Sequence, residues 1–292
     1  MKKLLVLSLI ILLGLPAISQ VPQMRTRILT NLTNVEVEQY LERNDVIFIP
    51  VGPTEVHAGM PLDCEYVGPL AYCIKMAEKA DGLVFPNISF IFPGATVVGS
   101  GTVQFSNEES IQFLKIIART LYRQGFKTQI YVTGHGPSPT FMAPFMRDFF
   151  NEEHIALFHM DQMKFESLAK DVNTRNGWYG AYKIVGRLED IPLSFEGVDL
   201  NEDYESIKEP SSNAKLKSVG TLGGFYYSVP SEHFGIPVSI TASEREQRAN
   251  EGAEAIEKVV DAIGILEIVN GLKEHQKFSE EIIERYGDLL EF

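Results

Sequence analysis

Residues 46 to 65, VIFIPVGPTEVHAGMPLDCE, decide how the rest of the chain is read. The stretch opens with an apolar run, Val46-Ile47-Phe48-Ile49, which is stopped by Pro50 and Gly52. That is the pattern of a buried strand running into a loop. The loop then carries Glu55, His57, Asp63 and Glu65, three carboxylates and an imidazole within eleven residues. Open α/β sheets hold their ligands in the loops at the carboxyl ends of the strands. The stretch therefore reads as a metal-binding loop around which the chain builds a pocket. Cys64 is a further candidate donor, although Glu and His account for the loop without it.

Working outward, a second strand reaches the same edge. Ser106-Asn107-Glu108-Glu109 is a capping box, in which the serine and the glutamate satisfy each other's backbone N–H groups. Ile111, Leu114, Ile117, Ala118 and Leu121 follow at helical spacing, and Gly125 closes the helix. Gln129-Ile130-Tyr131-Val132 then reads as a buried strand ending in Thr133-Gly134-His135-Gly136-Pro137. Helix, glycine, apolar strand and a Gly-flanked histidine in that order make a crossover unit of a parallel sheet. Parallel strands end at one edge, so His135 and the 55–65 loop can converge there. A mixed carboxylate and imidazole set suits zinc, manganese or a similar divalent ion. One carboxylate can bridge two ions, and paired ions activate water.

The remaining pattern is coarser. Thr33 and Glu36 form a capping box for a short helix to about Arg43, and residues 67–80 read as a second helix. Leu83 to Phe92 is a β-rich run. A helix over 138–151 and a strand over 155–159 follow. Residues 160–220, which hold the only tryptophan, Trp178, read as irregular loops with a lid-like insertion. Pro237 to Ile240 is expected as a last strand. Ser243 to Glu246 reads as a capping box for a long helix to about Val269, with a terminal helix over 278–292. His154, His159, His233 and His275 read as structural or surface groups.

Residues 1–20, MKKLLVLSLIILLGLPAISQ, have the basic start, short apolar core and small-residue end of a secretory signal peptide. The expectation is an exported protein, periplasmic or secreted, with no membrane span after cleavage. About 270 residues then remain, a size suited to a single α/β domain over 21–292. The chain carries 39 acidic and 26 basic residues, a net charge of −13, which argues against a nucleic-acid partner. Its two cysteines, Cys64 and Cys73, leave a disulfide and two free thiols both open.

These motifs together resemble the creatininase (creatinine amidohydrolase) family. Its members carry a segment like PVGSxEQHGxHLPLxTD after the first strand, and here the chain reads PVGPTEVHAGMPLDCE. The family's NGHGGN corresponds to TGHGPSP, and GIPVSITASEREQRANEGAEAI resembles the family's ending. The resemblance spans roughly residues 30 to 265. It implies a three-layer α/β/α fold with a mostly parallel central sheet. It also implies a metal-dependent hydrolase that cuts a non-peptide, often cyclic, amide C–N bond through a metal-activated water, in a homo-oligomer. Carried over by position, Glu55, His57 and His135 are metal ligands for one or two zinc or manganese ions. Glu65 falls at the bridging acidic position and is also the expected catalytic carboxylate, with Asp63 as the alternative. Trp178 is expected to cover the substrate. The chain departs from the family in three places. Met60 stands near the second loop histidine, and the asparagines of NGHGGN are absent. The segment NGWYGAYKIVG lacks the last glutamate ligand, for which Glu189 and Glu196 are the remaining candidates. A catalytically degenerate binder of a small ligand on the same fold is therefore the alternative reading.

Overall fold

The computed structural model describes residues 23–94, 98–194, 199, 201–220, 226–233 and 239–287. The N-terminal 1–20 segment, Glu196, and Pro237 and Val238 of the expected last strand lie outside the described residues.

The first strand, β1 (Val46–Val51), is buried along its whole length and alternates between two cores. Val46 and Phe48 face one cluster, while Ile47, Ile49 and Val51 face the other. This is the period-two consequence of a strand covered on both faces. β1 is preceded by the short helix α1 (Asn34–Leu41), whose Thr33–Glu36 capping box forms as expected. It is followed by α2 (Cys64–Ala80) and β2 (Leu83–Val84). Then come α3 (Asn107–Arg123), with its Ser106–Glu109 capping box, and β3 (Thr128–Thr133). The helix α4 (Pro139–Glu153) leads to β4 (Phe158–Asp161), the last strand of the sheet among the described residues.

The sheet is wholly parallel in the order β2-β1-β3-β4. Helix α2 packs on the Val46 and Phe48 face, whereas α3 and α4 cover the opposite face. The chain thus leaves β1 toward β2 over one face and returns to β3, on β1's other side, over the second. β1 and β3 flank a topological switch point, and the crevice outside their carboxyl ends is where such sheets bind ligands. The Glu55 and His57 loop and the His135 loop both leave the sheet there. This is the three-layer α/β/α arrangement with a parallel sheet that the motifs imply.

The segment from 160 to 220 departs from the loop-rich expectation. It contains α5 (Gln162–Glu166), α6 (Gly177–Ile184) and α7 (Ser212–Val219). Trp178 stands in the first turn of α6. The C-terminal helices shift too. The capping box is Thr241 with Glu244, two residues before the expected one, and opens α8 (Ala242–Ala262). Gly264 then turns left-handed at φ 64° and separates α8 from α9 (Ile265–Tyr286), so no helix runs unbroken to Val269. Among the described residues, Ser239 makes an isolated bridge to Ser194. Leu83 to Phe92 supplies the two-residue β2 and, beyond Pro86, an isolated bridge of Ile88 to Val51. Among the described residues no helix is long and apolar enough to cross a membrane.

α6 packs on α8 at backbone distance. A Cβ on Gly180 would lie 2.1 Å from the Gly252 carbonyl carbon, and one on Gly252 would lie 2.0 Å from the Asn176 oxygen. Replacing either glycine by alanine is expected to lower stability by about 1–3 kcal/mol, the range for an overpacked core, and urea unfolding measures it. A second prediction concerns His159 on β4, whose ring nitrogen lies 2.8 Å from Thr133 Oγ1. Burial pushes this imidazole down to about 4, against the pull of Asp161. A depressed histidine resists protonation in the fold. Its contribution is present above its ordinary value of about 6.5 and is lost as pH falls toward 4. Unfolding at pH 7 and pH 5 should differ by about 2 kcal/mol more in the native chain than in His159→Gln.

Candidate metal centre

Gly52 sets the geometry of the centre. A Cβ there would lie 2.4 Å from the Glu65 carbonyl oxygen, so the end of β1 touches the first turn of α2 directly. Helix α2 begins at Cys64, earlier than the expected residue 67, and takes Cys64 and Glu65 out of the loop. Glu65 therefore sits at a helix N-terminus, where the backbone dipole favours a carboxylate. The intervening loop is tied across itself. Glu55 N–H donates to the Leu62 carbonyl at 2.9 Å, and Met60 N–H donates to the His57 carbonyl at 2.9 Å. Ala58 adopts φ 47° in this tight return, and Val56 N–H donates to Thr102 Oγ1 at 3.1 Å.

Four of the residues marked in the sequence come together below the surface. Glu55, His57, His135 and Glu65 are 0, 1, 3 and 8% exposed, levels that ionisable groups reach only with compensation. His57 Nε2 lies 3.3 Å from Glu65 Oε2. His135 Nε2 lies 3.4 Å from the same oxygen and 3.2 Å from Glu55 Oε2. Donor atoms of Glu55, Glu65 and His135 all fall within 4.8 Å of one another. His57 Nδ1 stands 3.0 Å from the Glu55 carbonyl. As a donor there it leaves the Nε2 lone pair toward Glu65, the orientation that metal-ligating histidines usually have.

The donor set fits a divalent cation. Among the described residues, buried Glu65 Oε2 accepts no hydrogen bond and His135 Nδ1 has no hydrogen-bond partner. Burial opposes a charge on His57, but contacts with Cys64 and Glu65 outweigh it and push the imidazole up to about 11. Burial likewise works against an ionised Glu65, yet the His135 and His57 charges hold it below the usual carboxylate range. His135 Nε2 also lies 2.9 Å from the Pro93 carbonyl, so three oxygens surround one nitrogen.

The other candidates lie elsewhere. Asp63 turns to Arg187 at 2.5 Å and to the Tyr182 hydroxyl at 2.9 Å, outside the cluster. Glu189 is exposed and pairs with Arg245. Cys64 and Cys73 are both buried free thiols, with Cys64 beside His57. His233, expected as a structural or surface group, lies half-buried against the centre. Its ring lies 4.0 Å from the His57 ring, and the Tyr227 ring stacks on it at 4.5 Å. Neither residue sits in a recognisable motif, and His233 reaches the centre only because the chain returns to it from far downstream.

A cavity of about 300 Å³ opens against the centre. Its lining includes Glu65, Gly134, Gly136, Gln162, Glu166 and Trp178. Glu166 accepts from the Tyr72 hydroxyl and from Gln162 Nε2, each at 2.8 Å. Gln162 Oε1 is buried and, among the described residues, accepts no hydrogen bond. Glu65 alone belongs both to the ligand cluster and to this lining.

The family model for creatininase, described as creatinine amidohydrolase, matches residues 30–181, just over half of the chain. No curated protein matches the sequence. Among solved structures, one named "Creatininase Mn" superposes with a TM-score of 0.52 at 17% identity, covering 86% of this chain and 99% of its own. A mutant creatininase of Zn-Zn type gives a TM-score of 0.52 at 16% identity, covering 90% and 99%. Creatinine amidohydrolase (creatininase) gives 0.51 at 17% identity, covering 82% and 98%. At these identities the likeness is one of fold. Matched by that family's model through the very segments that build the centre, the chain belongs to the creatininase family.

Proposed function

We propose that this chain is a metal-dependent hydrolase of a non-peptide amide C–N bond, cyclic amides included. The observation that carries the reading is the buried triad Glu55, Glu65 and His135, with donor atoms within 4.8 Å of one another beside a cavity. Glu55, His57, Glu65 and His135 are the residues that would hold zinc or manganese, and the solved relatives include a "Creatininase Mn" and a Zn-Zn type. When bound, such ions supply Lewis-acid activation of water and of the carbonyl.

The protein's own groups do the rest. Glu65 belongs to both centre and cavity, so its carboxylate would face a substrate bound in the cavity. It is the group placed to carry a proton between water and the leaving nitrogen. The Trp178 indole forms a flat apolar wall for a planar amide. Gln162 Oε1 and Glu166 face the cavity as acceptors for substrate N–H groups. Gly134 is kept free of a side chain by Gln162, whose Oε1 lies 2.6 Å from where a Cβ would sit. Export through the 1–20 segment and homo-oligomeric assembly belong to the same proposal. The first is supported by Lys2-Lys3 and the apolar Leu4 to Leu15 run, the second by family likeness alone.

Two outcomes test it. Protein loaded with zinc or manganese and desalted should retain metal by elemental analysis and hydrolyse small cyclic amides. His57→Ala and His135→Ala should each cost at least the ~10–100-fold in metal affinity or activity that loss of an outer-shell partner costs. A protein that retains no ion after loading is instead the small-ligand binder. Trp178→Ala should raise KM roughly tenfold, as loss of an aromatic wall does, while bound metal stays unchanged. An equal loss of metal would remove Trp178 from the cavity's function.

A further inference from the structure

The centre contains a second set of donors that the sequence motifs do not mark. Glu55, His57 and His233 also offer ligand atoms within 4.8 Å of one another. His233 follows a short helical turn at Pro230–Glu232, outside the residues the family model matches. Its Nδ1 lies 3.9 Å from Glu55 Oε1 and 2.9 Å from the Val56 carbonyl. Donation from Nδ1 to Val56 leaves Nε2 as the unprotonated nitrogen. His57 repeats this arrangement one residue earlier, with its Nδ1 at 3.0 Å from the Glu55 carbonyl. Two successive carbonyls of one loop thus orient two imidazoles packed 4.0 Å apart, as outer partners orient metal-ligating histidines.

We infer that His233 is a ligand of a second divalent ion, held with Glu55 and His57 and joined through Glu55 to the Glu55, Glu65 and His135 triad. This rests on the proposed metal-dependent reading and supplies the donor that NGWYGAYKIVG lacks. The donor chemistry also separates the two positions. Two imidazoles and one carboxylate form an open three-ligand set of the catalytic zinc type, whereas two carboxylates and one imidazole suit manganese as well. The richer imidazole content gives the His233 position the stronger preference for zinc over manganese, and Tyr227 stacks on its ring at 4.5 Å.

Equilibrium zinc titration followed by calorimetry and elemental analysis tests this on the full chain. The native chain should bind two zinc ions, and His233→Ala one, with the remaining affinity changed less than about threefold. His233→Gln, which can still donate to the Val56 carbonyl, should behave like His233→Ala and so separate ligation from a structural role. With both metals offered, the native chain should hold zinc at one position against an excess of manganese, and His233→Gln should not. If the native chain binds zinc and both variants retain two ions with unchanged affinity, the inference is overturned while the metal-dependent reading stands. If the native chain itself binds no zinc or manganese, both fall together.

Discussion

Two carboxylates and two imidazoles meet out of water at the carboxyl edge of a parallel sheet, and that concentration of charge is the constraint on which the site depends. Unpaired buried carboxylates are among the costliest groups a fold can hold. Here nothing apolar separates Glu55 from Glu65, because His135 Nε2 touches both. The chain tolerates the pair by keeping imidazoles between them and by seating Glu65 on the first turn of a helix. A divalent ion answers the same electrostatic need in a more directed way. Stability and chemistry therefore come from one arrangement, and the loop's hydrogen bonds serve both.

The sheet explains why that arrangement is reached by so few residues. β1 and β3 flank the point where the winding changes face, so the loops leaving them are not capped by a crossing helix. Gly52 lets α2 start against the end of β1, which brings Glu65 back beside the loop it has just left. Segments that are separate in sequence, at 55–57, 65 and 135, are thus gathered by backbone geometry alone.

Much of this was legible in the sequence where local chemistry decides the outcome. The Thr33 and Ser106 caps, the β1 and β3 strands and the Gly-flanked His135 rest on contacts within a few residues, and sequence patterns record such contacts well. The convergence of Glu55, His57, Glu65 and His135 followed from the parallel sheet. What escaped depended on distant packing. α6 has no strong cap and forms because glycines let it lie on α8, a partner some seventy residues downstream. Thr241 outcompeted Ser243 as cap because its extended backbone precedes the helix, a distinction composition does not carry. His233 has no motif around it, and its place beside His57 is a purely tertiary fact.

The glycine contact between α6 and α8 has a consequence for how this cavity can change. One wall carries Trp178 on a helix whose neighbour admits no additional atom, so that wall cannot be moved by small substitutions at the interface. The facing wall is the short helix α5, with Gln162 and Glu166, held by side-chain hydrogen bonds. Hydrogen-bonded side chains can be exchanged without shifting a backbone. Divergence in ligand preference within this architecture should therefore be recorded on one side of the cavity, with the indole as the stationary jaw and α5 as the adjustable one.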